Sequence, residues 1–369
     1  MSLKSDLYLL QLEEYDLERF NQWKRKYPGK EVLEIKGRLN WTPKARLMFV
    51  LAKIFNSIPL AVKILSPLDY CLKLLYVSLA KVKFLFIHRG LMTIGITGSW
   101  GKTTTRDKLA AILASKYKVY KTVGNNNTLM GVAKNILLMP MGTEIFICEM
   151  GAYRPGEIKS ICGLVHPQVG IITAIGPMHL ERFGSLENIK KAKQELWDSL
   201  PSSGLRLGPK DEYLFKAAQY FDIGKDSATV ILASIPTPPH RLEIKETNGL
   251  TIIDDAYNSN PEGFSLALGK LAKLSGHPKI LVTPGMVELG KVQFSENQEA
   301  AQKAAKICDA IIVVGETNKD ALLSGLKGLK DFKQKYWAKS LSEAQDIISK
   351  FTKPGAIILF ENDLPDQYF

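Results

Sequence analysis

The hydrophobic pattern changes character near residue 90. Before this point, residues 7–26 place apolar side chains at helical spacing among charges, and two longer apolar runs follow at 47–65 and 68–87. This pattern predicts an amphipathic helix and then a helical pair. After it, short β-branched runs alternate with helical stretches, which is typical of a parallel sheet with helices on its faces. The sequence therefore predicts an α/β protein preceded by a helical segment.

Two α/β units are predicted after residue 90. The expected buried strands are 93–97, 144–148 and 169–174 in the first unit and 250–254, 279–283, 310–314 and 356–360 in the second. Helices are expected near 102–115 and 186–200 in the first unit and between the strands of the second. Three prolines within 235–241 predict a linker, because proline continues neither a helix nor a central strand. The predicted divisions are 1–90 (helical segment), 91–238 (central domain) and 239–369 (C-terminal domain).

The positive charge is concentrated in the helical segment. Residues 1–90 contain 16 Lys and Arg against 8 Asp and Glu, a balance of +8, which leaves +4 of the total +12 for the remaining 279 residues. Lysines interrupt both apolar runs, and each is costly in mid-membrane, so spanning helices are not favoured. Two arrangements remain open: an interfacial helical pair on anionic lipid, or a hairpin packed on the rest of the protein.

Cysteine usage and the first residues bear on location. The four cysteines are far apart and form no CxxC pair, so neither a disulfide framework nor a zinc site is expected. No signal peptide is evident in residues 1–20, where acidic residues interrupt the apolar positions. We expect a cytoplasmic protein, peripheral at the inner face of the membrane if the basic helices bind lipid.

The segment IGITGSWGKTTTR at 94–106 is the strongest chemical signal. A β-branched run ends in a glycine turn that is followed by Gly101, Lys102, Thr103 and Thr104. Backbone N–H groups at a helix N-terminus bind phosphate oxygens, a lysine reaches the terminal phosphates, and a hydroxyl holds Mg²⁺. The glycine spacing departs from the usual phosphate loop, which leaves a plain glycine turn as the alternative. The preceding strand and the Lys-Thr-Thr-Thr run favour binding of a nucleoside triphosphate.

Two polar side chains lie just after predicted strands, where a doubly wound sheet collects its functional groups. Glu149 stands in ICEMGA and His179 in ITAIGPMH. A carboxylate there can hold Mg²⁺, and a neutral imidazole can join a metal site. Taken alone, each is more often a capping carboxylate or a satisfied loop histidine. Their order behind a phosphate loop favours the metal site.

The ordered motifs resemble those of the Mur ligase family. The matching segments, within about residues 91–360, are TGSWGKTTT (97–105), TVGNNNTLMG (122–131), EMGAYRPGEI (149–158), GPMHLERFGSLENIKKAKQEL (176–196), RLEI (241–244), IDDAYNSNPEG (253–263) and VELG (287–290). The resemblance implies a P-loop central ATPase domain, a C-terminal Rossmann-like domain and ATP-dependent amide-bond synthesis through an acyl phosphate. It also implies a muramyl-peptide acceptor and an amino acid or dipeptide as the amine, D-alanyl-D-alanine being the first choice. We expect a monomer that binds no nucleic acid.

The resemblance further implies roles for individual residues. Lys102 would hold the β- and γ-phosphates of ATP, Thr103 and Glu149 would bind one Mg²⁺, and His179 would bind a second. Lys193 matches a lysine that is carbamylated in this family and supports the second metal; without the resemblance it is a solvated helix lysine. The other nucleotide-binding positions implied are Thr97, Gly98, Ser99, Trp100, Gly101, Thr104, Arg241, Asp255, Tyr257 and Asn258.

Several features depart from the family pattern. No uridine-nucleotide-binding domain is recognisable in residues 1–90, which favours an acceptor held at a membrane or carried in another way. The segment 201–241 is short, and an expected GxHNxxN stretch reads GPKDEYLF (208–215), so part of the adenine-contacting region is expected to be missing. The smaller departures are Ala174 and Thr128 at expected asparagines, Pro284-Gly285 at an expected Gly-Asp pair, and LFENDLPDQYF in place of a basic glycine-containing loop.

Two other functions remain open. A switch ATPase acting on DNA or on a membrane would share the phosphate loop and suit a basic chain, but it gives no role to His179, Lys193 or the IDDAYNSNP motif. A ligase of the same family that adds another amino acid, or uses another acceptor, would keep the whole set of phosphate- and metal-binding residues.

Overall fold

The computed structural model describes residues 2–87, 90–236, 239–328 and 334–368. The helices are α1 (Leu3–Leu12), α2 (Leu17–Lys26), α3 (Pro43–Phe55), α4 (Ile58–Ile87), α5 (Lys102–Ala114), α6 (Leu129–Leu138), α7 (Glu157–Val165), α8 (Leu180–Phe183), α9 (Leu186–Asp198), α10 (Tyr213–Tyr220), α11 (Lys225–Ser234), α12 (Pro261–Lys273), α13 (Gln293–Ala304), α14 (Lys319–Gly325) and α15 (Leu341–Ser349). The strands are β1 (Met92–Thr97), β2 (Val119–Lys121), β3 (Ile145–Glu149), β4 (Val169–Ile172), β5 (Leu205–Leu207), β6 (Glu243–Thr247), β7 (Leu250–Asp255), β8 (Lys279–Thr283), β9 (Ala310–Val314), β10 (Lys335–Ala338) and β11 (Ile357–Glu361).

A five-stranded parallel sheet forms the middle of the molecule. Its strand order is β2-β3-β1-β4-β5, and every neighbouring pair is parallel. The three central strands are almost wholly buried, because helices cover both faces. Since parallel strands end at the same edge, the segments that follow β1, β3 and β4 meet there.

A six-stranded sheet forms the C-terminal unit, with the order β10-β9-β8-β11-β7-β6. All neighbouring pairs are parallel except β6 and β7, which form a hairpin whose two turn residues, Asn248 and Gly249, both have positive φ. The pattern did not reveal β6 or β10. β6 reads EIKET and is largely exposed, and β10 is a partly exposed edge strand, so neither produces a buried apolar run.

The helix predicted over 7–26 is wrong as a single element. Glu14 and Tyr15 adopt positive φ and turn the chain between α1 and α2. Asp16 then begins α2 by accepting hydrogen bonds from the N–H groups of Glu18 and Arg19 at 2.9 and 3.1 Å. The turn lets both helices pack into one small core.

The break between the two apolar runs is also placed differently from the prediction. Asn56 ends α3 in the left-handed conformation, whereas Pro67 lies inside α4. Proline lacks the N–H that would bond to the carbonyl of Lys63, but the Ser66 hydroxyl donates to that oxygen at 2.9 Å. The helix therefore continues through the proline.

The long helix α4 joins two cores. Near its start, Ile58 and Ala61 belong to the core of the N-terminal helices, and near its end Ala80 and Phe84 belong to the core of the central unit. The residues between these contacts are mostly exposed. Within the described part of the chain, no helix is both long enough and apolar enough to cross a bilayer.

The segments that connect and follow the sheets complete the fold. Residues 237 and 238 of the predicted linker 235–241 lie outside the described residues. After β11, the chain docks on the N-terminal helices. The Asp366 carboxylate accepts from the Tyr8 hydroxyl at 2.7 Å and from the N–H groups of residues 35–37 at 3.0–3.1 Å. Trp23 Nε1 donates to the carbonyl of Gln367 at 2.8 Å. The N-terminal helices are thus tied to the C-terminal unit.

Candidate active site

The turn between β1 and α5 is held in place by the segment that follows β4. Gly98 and Gly101 have φ of 152° and 79°, and a Cβ on Gly98 would lie 2.1 Å from Thr173 Oγ1. The Ser99 N–H donates to the carbonyl of Ala174 at 2.9 Å. No side chain caps the start of α5. The first N–H groups of this helix are therefore left for an anion.

Two of the predicted nucleotide-binding residues use their hydroxyls inside the protein. Thr97 is fully buried and donates to the carbonyl of Met150 at 2.9 Å. The Ser99 hydroxyl donates to the carbonyl of Gly176 at 2.9 Å and accepts from the N–H of the same residue. These side chains fix the shape of the loop.

Lys102 is the first residue of α5, and its ammonium group folds back onto the loop. Nζ donates to the carbonyls of Gly98 and Ser99 at 2.8 and 3.4 Å. Burial lowers its pKa, nearby Glu149 opposes this shift, and Arg241 adds to it. A partly buried cation with carbonyl partners is well placed to receive the terminal phosphates of a nucleotide.

Glu149 ends β3 and faces the first turns of α5. Its carboxylate accepts from Thr103 Oγ1 at 3.3 Å, Asn127 Nδ2 at 3.1 Å and Arg106 Nη1 at 3.1 Å. One buried carboxylate beside a hydroxyl fits a Mg²⁺ ion that also takes phosphate oxygens. Sequence reasoning assigned no role to Asn127 or Arg106, although Arg106 lies three residues after Thr103, on the same face of α5.

A cavity of about 470 Å³ opens beside the phosphate loop. Lys102, His179 and Lys193 all line it, and Glu14 and Lys73 contribute to its wall from the N-terminal helices. The structure therefore brings together three of the predicted catalytic residues. It also places part of the basic helical segment at the same cavity.

Lys193 lies inside α9 and is only 3% exposed, so the interpretation as a solvated helix lysine is wrong. Its Nζ is 5.6 Å from the centre of the Phe183 ring. Burial, with a smaller contribution from the charge of Lys102, lowers its pKa to about 7. The amine is therefore substantially neutral at neutral pH.

His179 connects the central unit to the C-terminal unit. Its Nδ1 forms a hydrogen bond with the carboxylate of Glu288, and its ring packs edge-on against Tyr153 with centroids 5.0 Å apart. Burial raises the pKa of Glu288, but the hydrogen bond to His179 and the charges of His179, Arg182 and Arg19 prevail and lower it to about 2. Glu288 belongs to the matched VELG motif, but no spacing or periodicity in the sequence indicates that it lies beside His179.

A second cavity, of about 490 Å³, lies on the other side of the phosphate loop, between the central and C-terminal units. The predicted nucleotide-binding residues that line it are Trp100, Gly101, Thr104, Arg241, Asp255, Tyr257 and Asn258. The Arg241 guanidinium stacks 4.0 Å from the centre of the Tyr257 ring, and the Tyr257 hydroxyl donates to Asn125 of the central unit at 2.8 Å. The shortened segment still adds an apolar wall through Leu232, Ile235 and Pro236.

These features define a P-loop nucleotide-dependent enzyme: a phosphate loop with a partly buried lysine, a carboxylate beside that lysine, and a second α/β unit that faces the loop. Residues 96–246 match the Mur ligase middle domain, and residues 240–361 match the Mur ligase, glutamate ligase domain. The chain belongs to the Mur ligase family, whose members are ATP-dependent ligases that form carbon–nitrogen bonds.

Relatives in this family share about a quarter of the aligned residues with this chain. This chain is 29% identical over 335 residues to the UDP-N-acetylmuramoyl-tripeptide--D-alanyl-D-alanine ligase of Bacillus subtilis. The alignment covers 74% of this chain and 73% of that enzyme. The identically named enzyme of Mycobacterium tuberculosis is 27% identical over 299 residues, 61% of this chain and 59% of that enzyme. A sizeable part of each relative thus has no counterpart in the alignment.

Solved structures share the fold. MurF from Thermotoga maritima in complex with ADP has a TM-score of 0.70 at 24% identity, covering 79% of this chain and 80% of that chain. MurF from Acinetobacter baumannii has a TM-score of 0.68 at 21% identity, covering 79% and 77%.

Proposed function

We propose that this protein is an ATP-dependent ligase that joins D-alanyl-D-alanine to the carboxyl group of a muramyl-peptide acceptor through an acyl phosphate. One observation carries the proposal: the phosphate loop lies between two cavities, one shared with the C-terminal unit and one containing Lys102, His179 and Lys193. The cavity shared with the C-terminal unit suits a nucleotide. The cavity lined by Lys102, His179 and Lys193 (the acceptor cavity) suits an acceptor. The names of the relatives support the choice of substrates.

The residues divide the work by position. ATP would lie across the loop with its base beside Trp100 and Tyr257 and its terminal phosphates at Lys102. Lys102 neutralises charge that develops as the γ-phosphate moves to the acceptor carboxylate. Mg²⁺, held by Thr103 and Glu149, would screen the phosphate oxygens. ADP is the leaving group of this transfer. The amine of the second substrate then attacks the acyl carbon, so that the amide C–N bond forms, the C–O bond to phosphate breaks, and inorganic phosphate and one proton are released.

We propose that Lys193 carries a carbamate in the active enzyme. Its neutral amine adds to the carbon of carbon dioxide, so that an N–C bond forms while one C=O π bond opens, and the loss of one proton from nitrogen turns the neutral amine into an anionic carbamate. No group of three or more His, Cys, Asp or Glu with a metal-binding arrangement occurs among the described residues. A second Mg²⁺ near His179 therefore needs a further anionic ligand, which the carbamate supplies.

The proposal is tested by ATP turnover with candidate amines and acceptors, with product mass as the readout. Phosphate release that requires both D-alanyl-D-alanine and a muramyl peptide supports a ligase. Lys102→Ala should reduce turnover at least about 10²–10³-fold with the fold intact, because a positive charge facing the transferred phosphate is lost. Lys134→Ala, an exposed lysine on α6, is the control. Phosphate release stimulated by DNA or lipid alone, without an amide product, would instead identify a switch ATPase.

We also propose that α3 and α4 bind an anionic membrane surface. Eight apolar side chains on α4 follow one another every three or four residues and are each 40–67% exposed: Leu60, Ile64, Leu68, Leu72, Leu75, Leu79, Val82 and Phe86. At about 1.5 Å per residue, this stripe runs along nearly all of a helix about 45 Å long. Such a continuous apolar face is typical of a helix that lies in the membrane interface.

The charges around this stripe favour anionic lipid as its partner. Residues 43–87 contain seven Lys and Arg but a single acidic residue, Asp69, which is paired with Lys44 and Lys73. Each lysine near an anionic surface contributes about 1 kcal/mol. Lys73 also lines the acceptor cavity, so the same helix would link the membrane to the reaction site.

A further inference from the structure

The VELG segment at 287–290 has no part in the proposed reaction, yet it reaches a residue that does. Glu288 follows β8 in the C-terminal unit, and one of its carboxylate oxygens bonds to Nδ1 of His179. Both residues have positive φ, 53° for His179 and 61° for Glu288, which is uncommon outside glycine. The N–H of Glu181 donates to the carbonyl of Glu288 at 3.1 Å. Backbone and side chain thus join the two units at this point.

The N-terminal helices hold the other oxygen of the same carboxylate. Arg19 on α2 donates from Nη2 to Glu288 Oε1 at 3.3 Å, and Nη2 of Arg182 lies 3.7 Å from that oxygen. Nε of Arg19 is bonded to the buried carboxylate of Glu13. Oε2 of Glu288 therefore faces His179, while Oε1 faces two guanidinium groups.

A separate contact keeps α2 beside the C-terminal unit. Trp23 lies one helical turn after Arg19 and donates from its indole N–H to the carbonyl of Gln367. This bond does not involve Glu288 or His179. The position of Arg19 is thus set by contacts on two sides, with Glu13 behind it and the Trp23 contact further along the helix.

We infer that Glu288 is a positioning residue for His179 and that Arg19, in turn, positions Glu288. The inference rests on the proposed function, in which His179 serves a metal ion. A carboxylate that accepts the Nδ1–H of a histidine fixes its tautomer and ring orientation, and this leaves the lone pair on Nε2 for a cation. Because Glu288 belongs to the C-terminal unit, His179 is oriented only when that unit lies against the central one. The N-terminal helices take part because they supply Arg19.

The test compares Glu288→Ala, Glu288→Gln and Arg19→Ala with Arg25→Ala, an exposed arginine on α2 that serves as the matched control. Nitrogen-15 NMR reports the His179 tautomer without nucleotide or metal, and the signal is assigned by its loss in His179→Asn. We expect the Nδ1–H form in the wild type and in Arg25→Ala. We expect a mixture of tautomers in Glu288→Ala and a smaller shift in Arg19→Ala. Glu288→Gln keeps an acceptor oxygen and should restore part of the wild-type signal.

Metal binding and kinetics give the second readout. Affinity for Mn²⁺ in the complex with a non-hydrolysable ATP analogue should fall about 10–100-fold in Glu288→Ala, with kcat reduced similarly and KM for ATP little changed. An unchanged tautomer and unchanged Mn²⁺ affinity in Glu288→Ala would overturn the inference, and unchanged values in Arg19→Ala alone would remove Arg19 from it. If the wild type forms no amide product, the proposed function fails, while the NMR comparison still decides whether Glu288 orients His179.

Discussion

The position of Lys193 on the buried face of α9 lowers the pKa of its amine. Lys190 and Lys191 are exposed on α9, whereas Lys193 is buried and its pKa falls from the ordinary value of 10.5 to about 7. The unfolded chain then binds this proton more tightly than the folded protein does. Below pH 7 the buried charge opposes folding in full, and this cost declines as the pH rises toward 10.5. A cost of this kind is typical of functional sites.

Carbamate formation should give the ligase a characteristic pH dependence. Because only the neutral amine reacts with carbon dioxide, activity should fall as the pH drops through about 7. The carbamate carbon, observed by NMR after addition of ¹³C-bicarbonate, should disappear over the same range. Lys193→Ala should lose most activity, while Lys193→Glu, which keeps an anion, should retain more. Lys190→Ala is the control, and full activity in Lys193→Ala would contradict the prediction.

At the scale of single residues, the sequence predicted those functional residues whose role follows from their immediate neighbours in the chain. Lys102 and Thr103 were identifiable because they follow a strand and a glycine turn, and Glu149 because it ends a buried strand. Glu288 lies 109 residues from the histidine it contacts, and no periodicity or spacing indicates such a pairing. Arg19 was hidden for the same reason, since its partner belongs to another unit.

Among the elements, buried strands were predictable and polar ones were not. The strands expected at 279–283 and 310–314 are found with those bounds, because both are buried apolar runs. The helix predicted over 7–26 failed at Glu14 and Tyr15, because two non-glycine residues in the left-handed conformation leave no compositional mark. The prediction of a break near 66–67 failed because a serine hydroxyl replaces the hydrogen bond that Pro67 lacks.

The segment after β11 gives a stability prediction. Asp366→Ala leaves the Tyr8 hydroxyl and three backbone N–H groups without their acceptor, so the free energy of unfolding should fall by about 1–3 kcal/mol. Asp363→Ala is the matched control, because Asp363 is exposed and its ion pair with Lys36 is worth about 0–1 kcal/mol. Urea denaturation measures both variants. Equal losses would show that Asp366 is an ordinary surface carboxylate.

At the scale of the whole molecule, the N-terminal helices have two features. They contribute residues to the wall of the reaction site, and they carry an exposed apolar surface. Glu14 and Lys73 line the acceptor cavity, while the exposed stripe of α4 faces away from the protein core. The sequence could not choose between a helical pair on lipid and a hairpin packed on the body, because α4 has features of each: both ends pack into cores, and an apolar stripe along the helix stays exposed. Only the packing of the complete chain shows which residues remain uncovered.

This arrangement predicts binding to anionic vesicles and a preference for a lipid-linked acceptor. The protein should co-sediment with vesicles that contain phosphatidylglycerol, less so at high salt, and weakly with phosphatidylcholine alone. Replacing Leu72 and Leu75 together by Glu should abolish this binding, whereas Leu341→Glu, at an exposed leucine on α15, should not. Equal turnover of a soluble uridine-linked acceptor and a lipid-linked one, with vesicles present, would contradict the preference.

The contact between Tyr8 and Asp366 joins residues 358 positions apart in the chain. Helices α1 and α2 are synthesised early, but two of the residues that anchor them to the C-terminal unit, Asp366 and Gln367, are translated only after both sheets. Contacts of such long range form late in folding. The nascent chain would therefore expose the apolar stripe of α4 before its catalytic centre is assembled. The proposed binding to a bilayer would then begin while the protein is still attached to the ribosome.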